Sequence, residues 1–419
     1  MTHSTFSIAG PSSHLLDAQI QITGSKSETN RLLLLQALFS GLTIDNISNS
    51  DDAAAMQKGV GVRKGTVDVY HAGTAMRFLT AFFATQEGVD ILLTGSERMQ
   101  QRPIGILVSA LRALGADIEY DAQQGYPPLR IKGKSLEISE VSLDAGVSSQ
   151  YISALLLVAP SLKNGLRLSL EGRITSVPYI KMTLALLDQI GVAASFEGQT
   201  ITVSPAKQMA PTKLVVESDW SSASYYYSLV AMAAIGSRVC LSSYKEESLQ
   251  GDAVLAAIYE SMGVQTSFEG HSLVLSKIAD PSASLLQEGL SWDLANAPDI
   301  AQTIAVSCFG LGLDCHLTGL HTLKIKETDR LLALENELTK FGAALQVTGD
   351  SLHLDAFKGT FKQAVSVATY HDHRMAMAFA PLALRVPMQI EDAMVVKKSY
   401  PDFWEDLRVL GFEVTALEK

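Results

Sequence analysis

The sequence predicts an α/β protein assembled from small α+β modules and divided into two domains, and three observations predict it. The 419 residues exceed what one ordinary core encloses, so two domains of about 200 residues each are expected. A pattern of apolar helical stretch, glycine, short strand, turn and second strand recurs along the chain. Its glycines are spaced by roughly 70 to 80 residues, too far apart for a solenoid of helical hairpins and suited to a module of helices and strands.

Taken in order, the copies are LVSALRALGADIEYDAQQGYPPLRI around Gly115 and LALLDQIGVAASFEGQTITV around Gly191, then LAAIYESMGVQTSFEGHSLVL around Gly263 and ALENELTKFGAALQVTGDSLHL around Gly342. A clipped copy, FWEDLRVLGFEV, carries Gly411. Each glycine stands where a helix must end and a left-handed cap is favoured. Apolar residues at every second position, Val192, Ala194 and Phe196 and then Ile201 and Val203, predict a hairpin with one buried face. Before Gly73, SDDAAAMQKGVGVRKGTVDVY starts a helix but has little room for a hairpin, which predicts a truncated module near residues 51–70. An N-terminal strand within residues 6–21 precedes the first module and is expected to pair with the C-terminal half, closing that domain. The domains are therefore expected at residues 22–217 and at residues 1–21 with 218–419, with crossovers near Ile22 and Glu217.

A formal net charge of -11 argues against nucleic acid or an anionic membrane surface as the main partner, so any basic site must be local. The first ten residues have neither the pattern of a secretory signal nor that of a transit peptide, and the longest apolar runs, residues 152–160 and 229–235, are far shorter than a membrane span. A cytoplasmic protein is expected. Cys240, Cys308 and Cys315 lack the paired spacing of a zinc site and read as buried, reduced thiols.

Short polar strings stand at the module junctions. GSKSETNR, residues 24–31, sets Lys26 and Arg31 among hydroxyls just before an apolar helix, where free backbone N–H groups and a favourable dipole suit an anion. HAGTAMRF is a second such junction, with Gly73 permitting close backbone approach and Arg77 following; SERMQQRP supplies Arg98 and Arg102. The hydroxyl and amide clusters SSQ, residues 148–150, and TSVPY, residues 175–179, suit a polyhydroxylated ring better than a metal. KIKETDR places Lys326, Glu327, Asp329 and Arg330 at a helix start, able to hold a phosphate or carboxylate while one acid moves a proton. YHDHRMAM adds His371, His373 and Arg374; the adjacent arginine argues against a metal there. VVKKSYPDFW supplies Lys398, and NAPDIAQT supplies Asp299 at an expected helix start. Helix caps and solvated charges remain the alternative for each string alone. Together they place cations and hydroxyls at repeated junctions of an acidic chain, which fits a multiply anionic ligand.

The ordered set GSKSETNR, AGTAMRF, RPIG, SSQ, SVPYI, SSASY, KETDRL, DHRMAM and KSYPDF resembles the 5-enolpyruvylshikimate-3-phosphate (EPSP) synthase family over almost the whole chain. The resemblance implies a two-domain inside-out α/β barrel built from βαβαββ units, three per domain, with the active site in the interdomain cleft. It implies transfer of the enolpyruvyl group of phosphoenolpyruvate to the 5-hydroxyl of shikimate 3-phosphate, with release of phosphate and with no metal or cofactor. By motif match, Lys26, Ser27, Arg31, Ser148, Ser149, Gln150, Ser176, Tyr179, Asp299 and Lys326 resemble the shikimate 3-phosphate site. Lys26, Gly73, Arg102, Gln150, Arg330, Arg374 and Lys398 resemble the phosphoenolpyruvate site. Asp299, Glu327 and Lys26 match the catalytic positions, Asp299 taking the proton of the attacking hydroxyl and Glu327 serving exchange at the methylene carbon.

His71 and Thr322 stand where the family commonly has Asn, and the 51–70 segment is short. All three bear on the pocket and on glyphosate, the family's phosphoenolpyruvate-competing inhibitor, to which Gly73 favours sensitivity. A monomer that opens and closes about its two crossovers is expected. The nearest rival is the family acting on UDP-N-acetylglucosamine, which usually carries a reactive Cys in its first domain; here the first cysteine, Cys240, lies beyond it. A noncatalytic anion-binding relative is the other alternative, and the presence of both acids argues against it.

Overall fold

Helices that are apolar on every face have to be enclosed, and this chain encloses several. In the structure, a computed structural model that describes residues 4–146, 148–172, 174, 176–206 and 210–417, every residue of the Gly73–Ala84 and His373–Phe379 helices is buried. The Trp220–Met232 helix is buried throughout except at Ser221. The strands behave in the opposite way: Leu129–Lys132 and Leu166–Glu171 alternate inward and outward side chains, covering helices with one face and meeting solvent with the other. Helices lie inside and sheets outside.

Two compact units result, one of residues Gly24–Val216, the other of Met1–Thr23 with Glu217–Lys419. In the first, Lys64–Asp68 runs parallel to Asp90–Thr94, which pairs antiparallel with Leu129–Lys132 and so extends to Asp117–Tyr120. The second sheet repeats that wiring with Glu140–Asp144, Leu166–Glu171, Thr200–Val203 and Ala194–Glu197. The third, among the described residues, has two strands, Leu42–Asp45 and Thr212–Val215. The Asp51–Val60 helix reaches the Lys64–Asp68 strand with three residues between them, so no hairpin fits there.

The other unit repeats the wiring in Leu290–Asp293, Cys315–Thr318, Leu352–Leu354 and Leu345–Val347. The N-terminal segment, read as one strand, forms two, because Gly10 and Pro11 interrupt it. Thr5–Ala9 lies between Met388–Ile390 and Glu413–Leu417, and Asp17–Ile20 pairs parallel with Arg238–Leu241, so the segment serves two sheets. The repeat glycines Gly115, Gly191, Gly263, Gly342 and Gly411 all have positive φ, as left-handed helix caps require. One hairpin departs from its expected pattern. Ile201 and Val203 are buried, but Ala194 on the sheet's edge strand is exposed and Phe196 only half-buried.

This wiring fixes the site. Each strand that feeds a buried helix delivers that helix's N-terminus at the strand's carboxyl end, and the polar strings occupy those junctions.

Candidate active site

In the Gly24–Val216 unit, Lys26 and Ser27 open the Lys26–Leu38 helix, and Ser25 before them makes no side-chain cap. Ser148 caps the Ser149–Val158 helix by accepting from Gln150 N at 3.3 Å. Ser176 precedes the Val177–Gln189 helix in a left-handed conformation, φ 53° and ψ 42°, a strained backbone for a residue with a side chain. Its carbonyl accepts from Tyr179 N at 3.1 Å. Thr175, also in that string, lies outside the described residues.

Arg31 joins these three helix starts from beneath. It is 3 % exposed; its Nε donates to Thr183 Oγ1 at 2.8 Å, Nη1 to the Ser27 carbonyl at 2.8 Å, and Nη2 to Ser153 Oγ at 2.9 Å and the Tyr179 carbonyl at 3.3 Å. The Phe78 and Tyr179 rings lie 5.4 and 5.8 Å from the guanidinium carbon. Burial lowers its pKa to about 10 against the opposing influence of Tyr179 and Glu28, so it remains a cation at neutral pH. Its positive charge therefore sits directly under Ser27 and Tyr179.

A second cluster surrounds Gly73, the first residue of its helix. A β-carbon there would come within 2.7 Å of Arg102 Nη1, so glycine is what lets that guanidinium lie against the helix start. The Pro103 carbonyl, next in the chain, accepts from Tyr151 Oη at 2.6 Å and Arg77 Nη2 at 3.0 Å, which anchors the Arg102 loop. Gln150 Nε2 donates to Thr74 Oγ1 at 3.3 Å and joins the same group.

In the other unit the charges are denser. Arg330, 2 % exposed, is held by three carboxylates: Asp299 Oδ1 at 2.8 Å, Glu327 Oε2 at 2.8 Å and Asp372 Oδ2 at 2.6 Å. Asp299 also meets Lys326 Nζ at 3.3 Å and Arg374 Nη2 at 3.4 Å. Lys398, 3 % exposed, is hydrogen-bonded to Glu327 Oε1. Burial pushes the Asp299 carboxyl up, but Lys326, Arg374 and Arg330 outweigh it and hold the group well below the usual carboxylate range. Burial disfavours the Arg330 charge, yet Asp372, Glu327 and Asp299 more than restore it. Asp299 is thus no simple helix cap: its oxygens face cations rather than the N–H groups of the helix behind it.

The motif residues of this unit, Asp299, Lys326, Glu327, Arg330, Arg374 and Lys398, therefore form one connected network. Five further residues in these clusters were not singled out from sequence. Ser153 and Thr183 hold Arg31, Asp372 holds Arg330 and caps Arg374 N at 2.9 Å, and Ser221 and Asp252 contact one another beside Arg374. Of these five, only Asp372 and Ser221 fall within the motif strings, DHRMAM and SSASY. Thr322 Oγ1 is buried with no hydrogen-bond partner among the described residues.

The two histidines of YHDHRMAM diverge: His371 is exposed with Nδ1 2.9 Å from Asp392 Oδ2, whereas His373 is buried. They do not share a metal-binding geometry.

A family model for EPSP synthase (3-phosphoshikimate 1-carboxyvinyltransferase) matches residues 61–407. A 3-phosphoshikimate 1-carboxyvinyltransferase of Bacteroides fragilis is 44% identical over 408 residues, which are 96% of this chain and 98% of that one. The protein of the same description from Aliivibrio fischeri is 36% identical over 426 residues, covering 94% and 97% of the two chains. The solved structure of EPSP synthase from Acinetobacter baumannii superposes with a TM-score of 0.76 at 21% identity, covering 98% of this chain and 100% of that one. That last likeness concerns the fold: two domains of the inside-out α/β type.

Proposed function

This chain belongs to the EPSP synthase family, and we propose how its residues divide the family's reaction among themselves. The enzyme transfers the carboxyvinyl group of phosphoenolpyruvate to the 5-hydroxyl of shikimate 3-phosphate, a step of the shikimate pathway. The hydroxyl oxygen adds to C2 of phosphoenolpyruvate while C3 gains a proton. The tetrahedral adduct then loses phosphate from C2 and a proton from C3, leaving the enol ether. Both substrates arrive as anions that repel one another, so the protein must neutralise and orient them before chemistry begins.

The observation that carries the assignment is the network centred on Asp299, with Lys326, Arg330 and Arg374 around one carboxylate and Glu327 between Arg330 and Lys398. Asp299 takes the proton of the 5-hydroxyl. Without substrate its three cations make it a weak base; anionic substrates offset those cations, so its basicity rises when both are bound. Glu327 carries the proton that enters and leaves C3, with Lys398 and Arg330 fixing its two oxygens.

Lys26, Ser27, Ser148, Ser149, Gln150, Ser176, Tyr179 and Lys326 bind shikimate 3-phosphate, with Arg31 supplying charge from below. Lys26, Gly73, Arg102, Gln150, Arg330, Arg374 and Lys398 bind phosphoenolpyruvate, the Arg102 guanidinium resting on Gly73. Glyphosate competes for that second set. A monomer is the state expected of the enzyme. It works in the cytoplasm, a reducing compartment that suits three buried cysteines, none in a disulfide.

Phosphate release measured with shikimate 3-phosphate and with UDP-N-acetylglucosamine as acceptor tests the reading. Release is expected with the first alone, and release only with the nucleotide sugar would overturn it.

A further inference from the structure

One residue outside the assigned set, Ser221, is hydrogen-bonded to Arg374, and a second, Asp252, holds Ser221. Ser221 lies in the first turn of the Trp220–Met232 helix, and Asp252 in the short 3-10 helix Gly251–Val254 packed beside it. Ser221 Oγ donates to Asp252 Oδ2 and accepts from Arg374 Nη2 at 3.1 Å. The same nitrogen lies 3.4 Å from Asp299 Oδ2. A hydroxyl has one proton; while an ionised Asp252 takes it, the lone pairs face the guanidinium. Without that acceptor the hydroxyl is free to turn its hydrogen toward Arg374, and the contact that fixes Nη2 weakens.

We propose that Asp252 and Ser221 are positioning residues that aim the Arg374 guanidinium at the carboxylate or phosphate of phosphoenolpyruvate. The inference rests on the assignment of Arg374 to that substrate. Asp252 is 5 % exposed, and burial pushes its carboxyl up to about 6. Arg374 and the Ser221 hydrogen bond act against that rise, while Asp299 and Asp219 add to it. The dyad therefore changes state near the lower edge of the neutral range: above about pH 6 the carboxylate accepts from Ser221 alone, and below it the neutral acid, able to donate as well as accept, orients the hydroxyl less firmly.

The test compares Asp252→Asn, Ser221→Ala, Ser221→Thr and Arg374→Ala by steady-state kinetics in both substrates. Asp252→Asn and Ser221→Ala are expected to raise KM for phosphoenolpyruvate about tenfold while KM for shikimate 3-phosphate stays within about twofold. Ser221→Thr, which keeps the hydroxyl, restores the parental value. The profile of kcat/KM for phosphoenolpyruvate, taken as the ratio of parent to Asp252→Asn so that the substrate's own titration cancels, bends near pH 6. Sensitivity to Arg374→Ala together with indifference to Ser221→Ala and Asp252→Asn would overturn the proposal alone. Indifference to Arg374→Ala would overturn the underlying assignment, and the proposal with it. Ser221→Ala alters a half-buried hydroxyl, so it decides the matter even if Asp252→Asn folds poorly.

Discussion

An alanine at position 73 should damage one substrate's binding and almost nothing else. Its β-carbon would stand 2.7 Å from Arg102 Nη1, 3.1 Å from Nη2 and 3.2 Å from Cζ. Ordinary contact begins near 3.4 Å, so the guanidinium must withdraw by about 0.7 Å. The obstacle is the end of a flexible side chain, and Gly73 opens its helix without a positive φ, so alanine fits the backbone there and the fold should not weaken. A hydrogen bond to a charged group contributes about 1.5–3 kcal/mol, and losing most of one raises a dissociation constant by at least about tenfold. Gly73→Ala is therefore expected to raise KM for phosphoenolpyruvate by about tenfold or more, with less than about a threefold change for shikimate 3-phosphate. Initial rates of phosphate release over a range of each substrate measure both. A phosphoenolpyruvate KM equal to the parent's, in a variant of equal melting temperature, would refute the placement of Arg102 in that site.

The same variant should resist glyphosate at least as strongly as it loses phosphoenolpyruvate, read as the shift in inhibition constant. Arg330→Met leaves Asp299, Glu327 and Asp372 without their shared cation; breaking a buried pair costs about 3–5 kcal/mol, so the urea midpoint should fall clearly. Asp299 has a folded pKa below its unfolded value, so its contribution to stability is present above the unfolded value near 3.9 and is lost as pH falls through the folded one. Asp299→Asn should accordingly flatten the acid limb of stability below about pH 4 and leave the slope at neutral pH unchanged. Asp406 is the opposite case: burial, opposed by a hydrogen bond from Tyr400, raises its pKa to about 6, so its ionisation erodes stability between about pH 4 and 6. Asp406→Asn should remove that loss, seen in unfolding curves taken across the interval.

The repeat was legible because a helix that must stop at a left-handed residue writes a glycine into the sequence, and Gly115, Gly191, Gly263, Gly342 and Gly411 mark it. The junction strings are legible only as a set: each alone reads equally as a helix cap or solvated charges, but their recurrence ahead of apolar helices in an acidic chain points to an anionic ligand. Tertiary partnerships were not legible. Nothing local distinguishes Asp299 as a helix cap from Asp299 among three cations, since Lys326, Arg330 and Arg374 come from other elements. Asp252 sits 31 residues from Ser221 and carries no string of its own. Asp372 escapes notice between two histidines, although it is one of the three acids that hold Arg330. The N-terminal segment reads locally as one strand, because its pairing with two different sheets depends on partners far along the chain.

Asp299→Ala, followed by kcat and by the binding of shikimate 3-phosphate in one preparation, bears most directly on the account. Removing the proposed base is expected to slow turnover by about 10²–10⁴-fold while shikimate 3-phosphate still binds within a few-fold of the parent. Turnover at the parental rate would mean that the carboxylate gathered by Lys326, Arg330 and Arg374 moves no proton, and the mechanism would have to be rebuilt around another group.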